Sequence, residues 1–200
     1  MFKSVTGLIL VHAIGLMLFM CCCISGCGAG SSGVSLGAST PGTYNDSVYV
    51  ASSTDGLTWT ASSNVLFEHA SVPGACYFNG QVYLYFVDSN SGSSEQLSVA
   101  ISSDGGYTFG ARQAVVFSGS NTSYPVDPNP LVDGGTIRLN YLANFQSTSP
   151  YKIVTATSTD GLNFTEEAIL ATASSGNYYD PDLFVDEDEW SLLINDGSGG

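Results

Sequence analysis

The stretch SSDGGYTF at Ser102–Phe109 has two counterparts, SSTDGLTW at Ser52–Trp59 and STDGLNF at Ser158–Phe164. Each contains Ser-x-Asp-Gly before an aromatic residue, and the aspartates, Asp55, Asp104 and Asp160, are 49 and 56 residues apart. A repeated unit of about 40–50 residues built from short strands is typical of a propeller blade or a similar array. Asp in a tight turn accepts backbone N–H bonds and Gly supplies positive φ, which predicts a structural role for the three aspartates.

A second landmark recurs at a similar interval. Pro73, Pro128 and Pro181 are 55 and 53 residues apart, and each precedes two apolar runs separated by a Gly-containing or acidic turn. Proline is tolerated at the first residue of a strand, where it need not donate a hydrogen bond. Each proline is therefore expected to open strand A of a blade, followed by strands B and C, the Ser-x-Asp-Gly turn and strand D.

This register predicts an all-β chain, a β-propeller of four-stranded antiparallel blades. The chain would hold strands C and D of one blade, two whole blades, and strands A and B of another, about three blades' worth. Propellers usually have about 4–8 blades. We therefore expect the blades in residues 46–200 to be an incomplete part of a larger ring.

The N-terminus has the features of an export signal. Lys3 precedes an apolar run over residues 5–20, and the sequence ISGC ends at Cys27. It resembles a bacterial lipobox, which implies that residues 1–26 are a signal peptide and that Cys27 is lipidated. The Gly/Ser-rich residues 27–45 would then tether the blades to the cell envelope, outside the cytoplasm, at the outer membrane or cell surface. An uncleaved membrane anchor and plain secretion are the alternatives.

The composition restricts the partners. The chain has 4 Lys+Arg against 18 Asp+Glu, a formal net charge of −14, so it would repel nucleic acid. Its 44% hydrophobic and 12% aromatic content predicts a packed core instead of disorder. We found no nucleotide, zinc or redox motif, and so expect no cofactor and no metal. Cys76 is the only cysteine beyond Cys27, which leaves no pair for an intramolecular disulfide, and a monomer is expected.

The motifs also resemble those of known enzymes over residues 46–197. SSDGGYTF matches the sialidase-type Asp box S-x-D-x-G-x-T-[FW]. The other two copies, with the Asp-Pro pairs, are similar to five-bladed propeller glycoside hydrolases, the group of family 43 and the invertase and levansucrase relatives. The resemblance implies a five-bladed ring and a carbohydrate partner. Sialidases hold their substrate carboxylate with three arginines, and only Arg112 and Arg138 occur here, which disfavours that activity.

The residues before the three prolines, Val72, Asp127 and Asp180, occupy equivalent positions on successive blades. Their strands would line the central funnel, and glycoside hydrolysis needs converging carboxyl groups. The resemblance implies that Asp127 is the general base and Asp180 a second Asp that tunes its pKa. The general acid, a Glu, would fall on a blade that this chain lacks. If the blade at Val72 is instead the first, its base is missing, and His69 and Glu68, just upstream, are the only polar candidates nearby. A structural turn before proline is the alternative for both aspartates.

Tyr124, Tyr179 and His69 are expected to bind substrate near the funnel, because the two tyrosines offer flat faces for stacking on sugar rings and His69 is a polar side chain just upstream of Val72. These features predict a cell-surface, glycoside hydrolase-like protein that cleaves or binds oligosaccharides. The alternative is a non-catalytic propeller lipoprotein that binds glycan or protein partners. A funnel carboxylate on a further blade would favour the enzyme, and apolar residues like Val72 would favour the binding module.

Overall fold

The computed structural model describes residues 43–197 except 91, 93, 122, 146, 148, 149, 175 and 176. The predicted signal segment, Cys27 and most of the predicted tether lie outside these residues. Within the described residues, no helix is long and apolar enough to cross a membrane. The chain forms a short 3-10 helix at Thr43–Asn45 and then strands. They are β1 (Ser47–Val48), β2 (Ala51–Ser52), β3 (Thr60–Ala61), β4 (Phe67–Glu68), β5 (Ala70–Phe78), β6 (Gln81–Asp88), β7 (Gln96–Ser102), β8 (Gln113–Ala114), β9 (Val116–Ser118), β10 (Val126–Asp133), β11 (Thr136–Ala143), β12 (Lys152–Ser158), β13 (Asn163–Thr172), β14 (Tyr178–Asp186) and β15 (Glu189–Asp196).

The strands form blades in the predicted order. Blade 1 is the antiparallel sheet β5-β6-β7-β8, and blade 2 is β10-β11-β12-β13 with β9 added in parallel beside β13. The short ladders β1–β4 and β2–β3 form an N-terminal half-blade, and β14–β15 form a C-terminal half-blade. The prediction of an all-β propeller architecture with about three blades' worth of strands is confirmed.

The strand registers define two ends of each blade. Ala70 pairs with Asp88, which pairs with Gln96, so the start of β5 and the loop between β6 and β7 lie at the same end. We call this the entry end. The start of β10 and the loop after β11 lie at the equivalent end of blade 2. The Ser-x-Asp-Gly turns follow β7 and β12, so they lie at the opposite end.

The main core lies between the two complete blades. It includes the fully buried side chains of Tyr85 on β6, Tyr141 on β11 and Phe164 on β13. The Tyr85 hydroxyl donates to the carbonyl of Gly161 at 2.8 Å, and its ring packs edge-to-face on Phe164 with centroids 5.9 Å apart. The Ser-x-Asp-Gly turn of blade 2, which contains Gly161, therefore packs against β6, strand B of blade 1. Burying each such ring stabilises the fold by about 2–3 kcal/mol.

Candidate functional site

Each inner strand contains a β-bulge near the entry end. The register shifts between Ser71 and Gly74 in β5, between Val126 and Asn129 in β10, and between Tyr179 and Asp182 in β14. In each case two residues, X-Pro, oppose a single residue of the neighbouring strand. The strands thus begin before their prolines, contrary to the sequence-based expectation that each proline opens its strand. Proline is accommodated because the bulge leaves it outside the ladder of hydrogen bonds.

The residue before each proline has a left-handed backbone. The φ angles are 48° at Val72, 53° at Asp127 and 49° at Asp180. This conformation is unusual for a side chain other than Gly, is an outlier for β-branched Val, and runs against the extended preference of a residue before proline. Such strain costs about 1–3 kcal/mol at each position and persists where the surrounding structure enforces it. The same strained conformation occurs at Val72, Asp127 and Asp180, so it is a repeated feature of the inner strands.

The three bulges line one groove at the entry end. It has a volume of about 280 Å³ and is bounded by residues 72–75, 127–130 and 180–182. The sequence-based placement of Val72, Asp127 and Asp180 at equivalent positions therefore agrees with the structure, which brings all three to the same cleft. Two of the positions carry carboxylates and the third carries an apolar side chain, so the groove is polar on the side of blade 2 and the C-terminal half-blade.

Asp127 is the most perturbed carboxyl group at the groove. Its side chain is partly buried, and burial raises its pKa to about 6. The backbone N–H of Asp180 donates to Asp127 Oδ2 at 3.4 Å and acts in the opposite direction. The negative charges of Asp180 and Glu95 raise the pKa further. A carboxyl group with a pKa near 6 exchanges protons close to neutral pH, which suits general acid–base chemistry.

Glu95 is a carboxylate that sequence reasoning missed. It lies in the loop between β6 and β7, directly before Gln96, and its side chain is partly buried. Its charge acts on Asp127 of the next blade. No motif marks it, but the hairpin alternation of β5, β6 and β7 would have placed the loop at the entry end.

The three residues expected to bind substrate have different surroundings. Tyr124 lies two residues before the start of β10, is 56% exposed and has a φ of 46°. His69 Nδ1 donates to the carbonyl of Tyr44, and the two rings stack with centroids 4.2 Å apart. Tyr179 packs edge-to-face on Tyr151, with centroids 5.9 Å apart, against the core between blade 2 and the C-terminal half-blade. Tyr124 therefore has the most accessible ring of the three.

The Ser-x-Asp-Gly turns are held by internal hydrogen bonds. Asp160 Oδ1 accepts the backbone N–H groups of Leu162 and Asn163 at 2.8 Å each. The side chain and backbone of Thr108 donate to Asp104 and lower its pKa to about 2. These turns lie at the end of the blades away from the groove. Their aspartates are therefore part of the scaffold and not of the candidate site.

The two arginines of the blades are also used in structural contacts. Arg112 Nη1 forms an ion pair with the buried Asp88 at 2.8 Å. Arg138 Nη1 forms an ion pair with Glu167 at 2.6 Å, and its guanidinium lies 5.3 Å from the centre of the Trp190 ring. Among the described residues no group of three His, Cys, Asp or Glu side chains is arranged to hold a metal ion.

Comparisons by sequence alone found no match: no protein-family model matches the chain, and no curated protein resembles it at a significant level. Solved structures do match. A thermostable family-43 glycoside hydrolase superposes with a TM-score of 0.61 at 13% identity, over 74% of this chain and 55% of that one. An endo-arabinase from Bacteroides thetaiotaomicron gives 0.51 at 19% identity, over 74% and 55%. A mutant of the Bombyx mori family-32 β-fructofuranosidase, in complex with sucrose, gives 0.57 at 17% identity, over 73% and 34%.

This chain spans between about a third and just over half of the length of those three proteins. At such low identity the superpositions support an inference about architecture alone. The strands of this chain form propeller blades whose fold is similar to that of part of these glycoside hydrolases.

Proposed function

We propose that this chain is part of a glycoside hydrolase-like protein whose groove binds an oligosaccharide and whose Asp127 exchanges a proton with the reacting groups. The observation that carries the proposal is the pairing of two carboxylates from adjacent blades at the entry end, one of them partly buried with its pKa raised to about 6. Hydrolysis of a glycosidic bond uses a general base and a general acid, and a carboxyl group that exchanges protons near neutral pH, such as Asp127, suits the role of the base.

The roles follow from the surroundings of each group. Above pH 6 Asp127 is ionised and can accept a proton from an attacking water molecule, which makes it the general base. Asp180 is exposed, and its charge raises the pKa of Asp127, which makes it the tuning residue. Tyr124 offers an accessible ring at the same end for stacking on a sugar. An endo-arabinase and a β-fructofuranosidase in complex with sucrose are among the structural neighbours, which supports a carbohydrate substrate, and the proposed class is the arabino- and xylo-oligosaccharides.

The location is part of the same proposal. Cys27, lipidated after removal of residues 1–26, would hold a monomeric protein at the outer membrane or cell surface, where it meets extracellular glycans. The chain offers few cationic groups and a net charge of −14, which suits neutral oligosaccharides better than anionic polymers.

The test uses turnover of arabino- and xylo-oligosaccharides by the purified full-length protein of which this chain is proposed to be part. Asp127→Asn is expected to reduce kcat/KM by about 100-fold or more, since general acid–base groups contribute factors of that size. Asp180→Asn is expected to lower the pKa that governs the rising limb of the pH profile. Asp186→Asn makes the same change of charge at the opposite end of β14, and its kcat/KM should equal that of the wild type. Unchanged turnover in Asp127→Asn would exclude the catalytic role.

One observation favours a second candidate, a non-catalytic glycan-binding module. Val72 occupies in blade 1 the position that Asp127 and Asp180 occupy in the next two blades, so one wall of the groove is apolar. This module would bind the same oligosaccharides without cleaving them. Calorimetric binding that is retained in Asp127→Asn, with no turnover by the wild-type protein, would support the module over the enzyme.

A further inference from the structure

The side chain of Asn129 joins the inner strands of two neighbouring blades. Asn129 lies on β10, directly after the bulge that contains Asp127. Its Nδ2 donates to Asp182 Oδ1 at 2.8 Å, and its Oδ1 accepts the backbone N–H of Leu183 at 3.0 Å. Both partners lie on β14, directly after the bulge that contains Asp180. One carboxamide therefore connects the two strands at the level where their bulges end.

The orientation of this amide is fixed by its partners. A backbone N–H can bond only to the amide oxygen, and a carboxylate can accept only from the amide nitrogen. Asn140 on β11 adds support from the same blade, because its Nδ2 donates to Asn129 Oδ1 at 3.2 Å and to the Asn129 carbonyl at 3.3 Å. Asn140 is fully buried. Asn129 is thus held by blade 2 and holds the C-terminal half-blade.

The junction between blade 1 and blade 2 is built differently. There the equivalent of Asn129 is Gly74, and a Cβ at that position would lie 2.5 Å from the Pro128 carbonyl oxygen and 2.8 Å from Pro130 Cδ. These two inner strands meet through backbone and proline rings, and Gly74 has no side chain with which to bridge them. The polar bridge occurs at the junction where both bulges carry a carboxylate, and the direct contact occurs where one bulge carries Val72.

We propose that Asn129 is a positioning residue, which holds β10 and β14 at the separation that keeps Asp127 and Asp180 together at the groove. The contact between these two residues, 3.4 Å from the Asp180 nitrogen to Asp127 Oδ2, is long and would not maintain the spacing by itself. The bonds of Asn129 are shorter, and the bond to Asp182 involves a charged acceptor, which makes it stronger than a neutral one. The catalytic consequence rests on the proposed function, but the positioning does not.

The experiment measures the pKa of Asp127 by NMR titration of its carboxyl carbon, which requires no substrate. In Asn129→Leu the bridge is lost while the branching and the number of non-hydrogen side-chain atoms are kept, so the hydrogen bonds no longer hold β10 against β14, Asp180 moves away and water reaches Asp127. Because burial is the first cause of the raised pKa, the pKa of Asp127 is expected to fall from about 6 by about 1 pH unit or more. Asn64→Leu, on an exposed turn of the N-terminal half-blade, is the matched control.

A second variant exchanges the two bridging side chains. The double substitution Asn129→Asp with Asp182→Asn keeps the net charge and again pairs an amide donor with a carboxylate acceptor. The double variant is expected to have the wild-type pKa of Asp127. Asn129→Asp alone places a second carboxylate beside Asp182, and the pKa of Asp127 is expected to differ from the wild-type value. If circular dichroism shows that Asn129→Leu does not fold, Asn129→Asp and the double variant test the positioning role instead. An unchanged pKa of Asp127 in Asn129→Leu, or no restoration by the exchange, would overturn the positioning role.

The test of the positioning role of Asn129 can succeed or fail independently of the test of the proposed function. A shifted pKa that the exchange restores supports the positioning role even in a protein without turnover. If the wild-type protein does cleave oligosaccharides, the rising limb of its pH profile should move with the pKa of Asp127 in the same variants. Turnover that disappears in Asp127→Asn but keeps its pH profile in Asn129→Leu would support the enzyme and refute the positioning residue.

Discussion

Asp180 donates its backbone N–H to Oδ2 of Asp127 across the boundary between blade 2 and the C-terminal half-blade, at 3.4 Å. The same residue presents a carboxylate whose charge acts on Asp127 in the opposite sense. The backbone N–H of Asp180 therefore lowers the pKa of Asp127, while the carboxylate of Asp180 raises it. Burial of Asp127 is the largest of these effects, and it raises the pKa and so favours the protonated form. This relationship makes Asp127 the group whose titration reports on the groove.

The raised pKa predicts a gain in stability when Asp127 is replaced by Asn. Between pH 4 and 6 the unfolded chain releases a proton that folded Asp127 retains, so stability falls as pH rises through this window and stays reduced above it. Asn is neutral throughout. Asp127→Asn should therefore be more stable than the wild type at pH 7, on the order of 1–3 kcal/mol, and nearly equal to it at pH 3.5. Urea unfolding at both pH values measures this, and Asp186→Asn is the control. A loss of stability at pH 7 would contradict the burial of Asp127.

The charges of Glu95 and Asp180 predict the effect of neutralising each. Both raise the pKa of Asp127, so Glu95→Gln and Asp180→Asn should each lower it, while the backbone N–H of residue 180 is kept in both. NMR titration of the Asp127 carboxyl gives the value directly, and Glu187→Gln, on the turn at the far end of β14, provides a control with the same change of charge. If the pKa of Asp127 does not change in Glu95→Gln, the loop between β6 and β7 is not part of the site.

How far the sequence predicts this protein depends on the kind of feature. The blade order followed from Gly, Asp and Pro, because these residues act through local backbone preferences that a single chain segment expresses by itself. The left-handed φ at Val72 opposes those preferences, since a β-branched residue before proline favours an extended backbone, so only the packed blades can enforce it. The bridge from Asn129 to Asp182 depends on the placement of two blades 53 residues apart in the chain, which no local pattern encodes.

Replacing a turn aspartate such as Asp160 is expected to lower the stability of the protein at neutral pH, whereas replacing Asp127 by Asn is expected to raise it. Hydrogen bonds from Asn163 and neighbouring backbone groups hold the pKa of Asp160 well below its ordinary value. The stabilisation is therefore present above about pH 4 and is lost as pH falls through the lowered pKa. Asp160→Ala should lower the melting temperature at pH 7 by a few degrees and leave the groove intact. Calorimetry at pH 7 and pH 2 checks this, and an unchanged pKa of Asp127 in the same variant confirms that the groove is unaffected.

Gly74 is a position at which adding a single methyl group should be costly. Its Cβ would collide with backbone and a proline ring, which cannot rotate away, so Gly74→Ala should destabilise the fold by about 1–3 kcal/mol. Gly110→Ala is the control, because its Cβ would meet only the Ile101 carbonyl oxygen at 3.6 Å, an ordinary contact, and should change stability by less than about 0.5 kcal/mol. Denaturant unfolding compares the two. Equal effects would mean that β5 and β10 are less closely packed than the structure has them.

The proposed lipid anchor predicts where the protein is found in a bacterial cell. Acyl chains on Cys27 would add about 0.8 kcal/mol per buried CH₂, and two or more chains hold a protein firmly at a membrane. Cys27→Ala removes the acceptor and should release the protein to the soluble fraction, while Cys23→Ala, within the same cysteine-rich segment, should leave it membrane-bound. Fractionation by ultracentrifugation and the mass of the mature N-terminus measure both. If Cys27→Ala stays in the membrane with residues 1–26 still attached, the apolar run is an uncleaved anchor, because a stretch of about 20 apolar residues is long enough to span the bilayer.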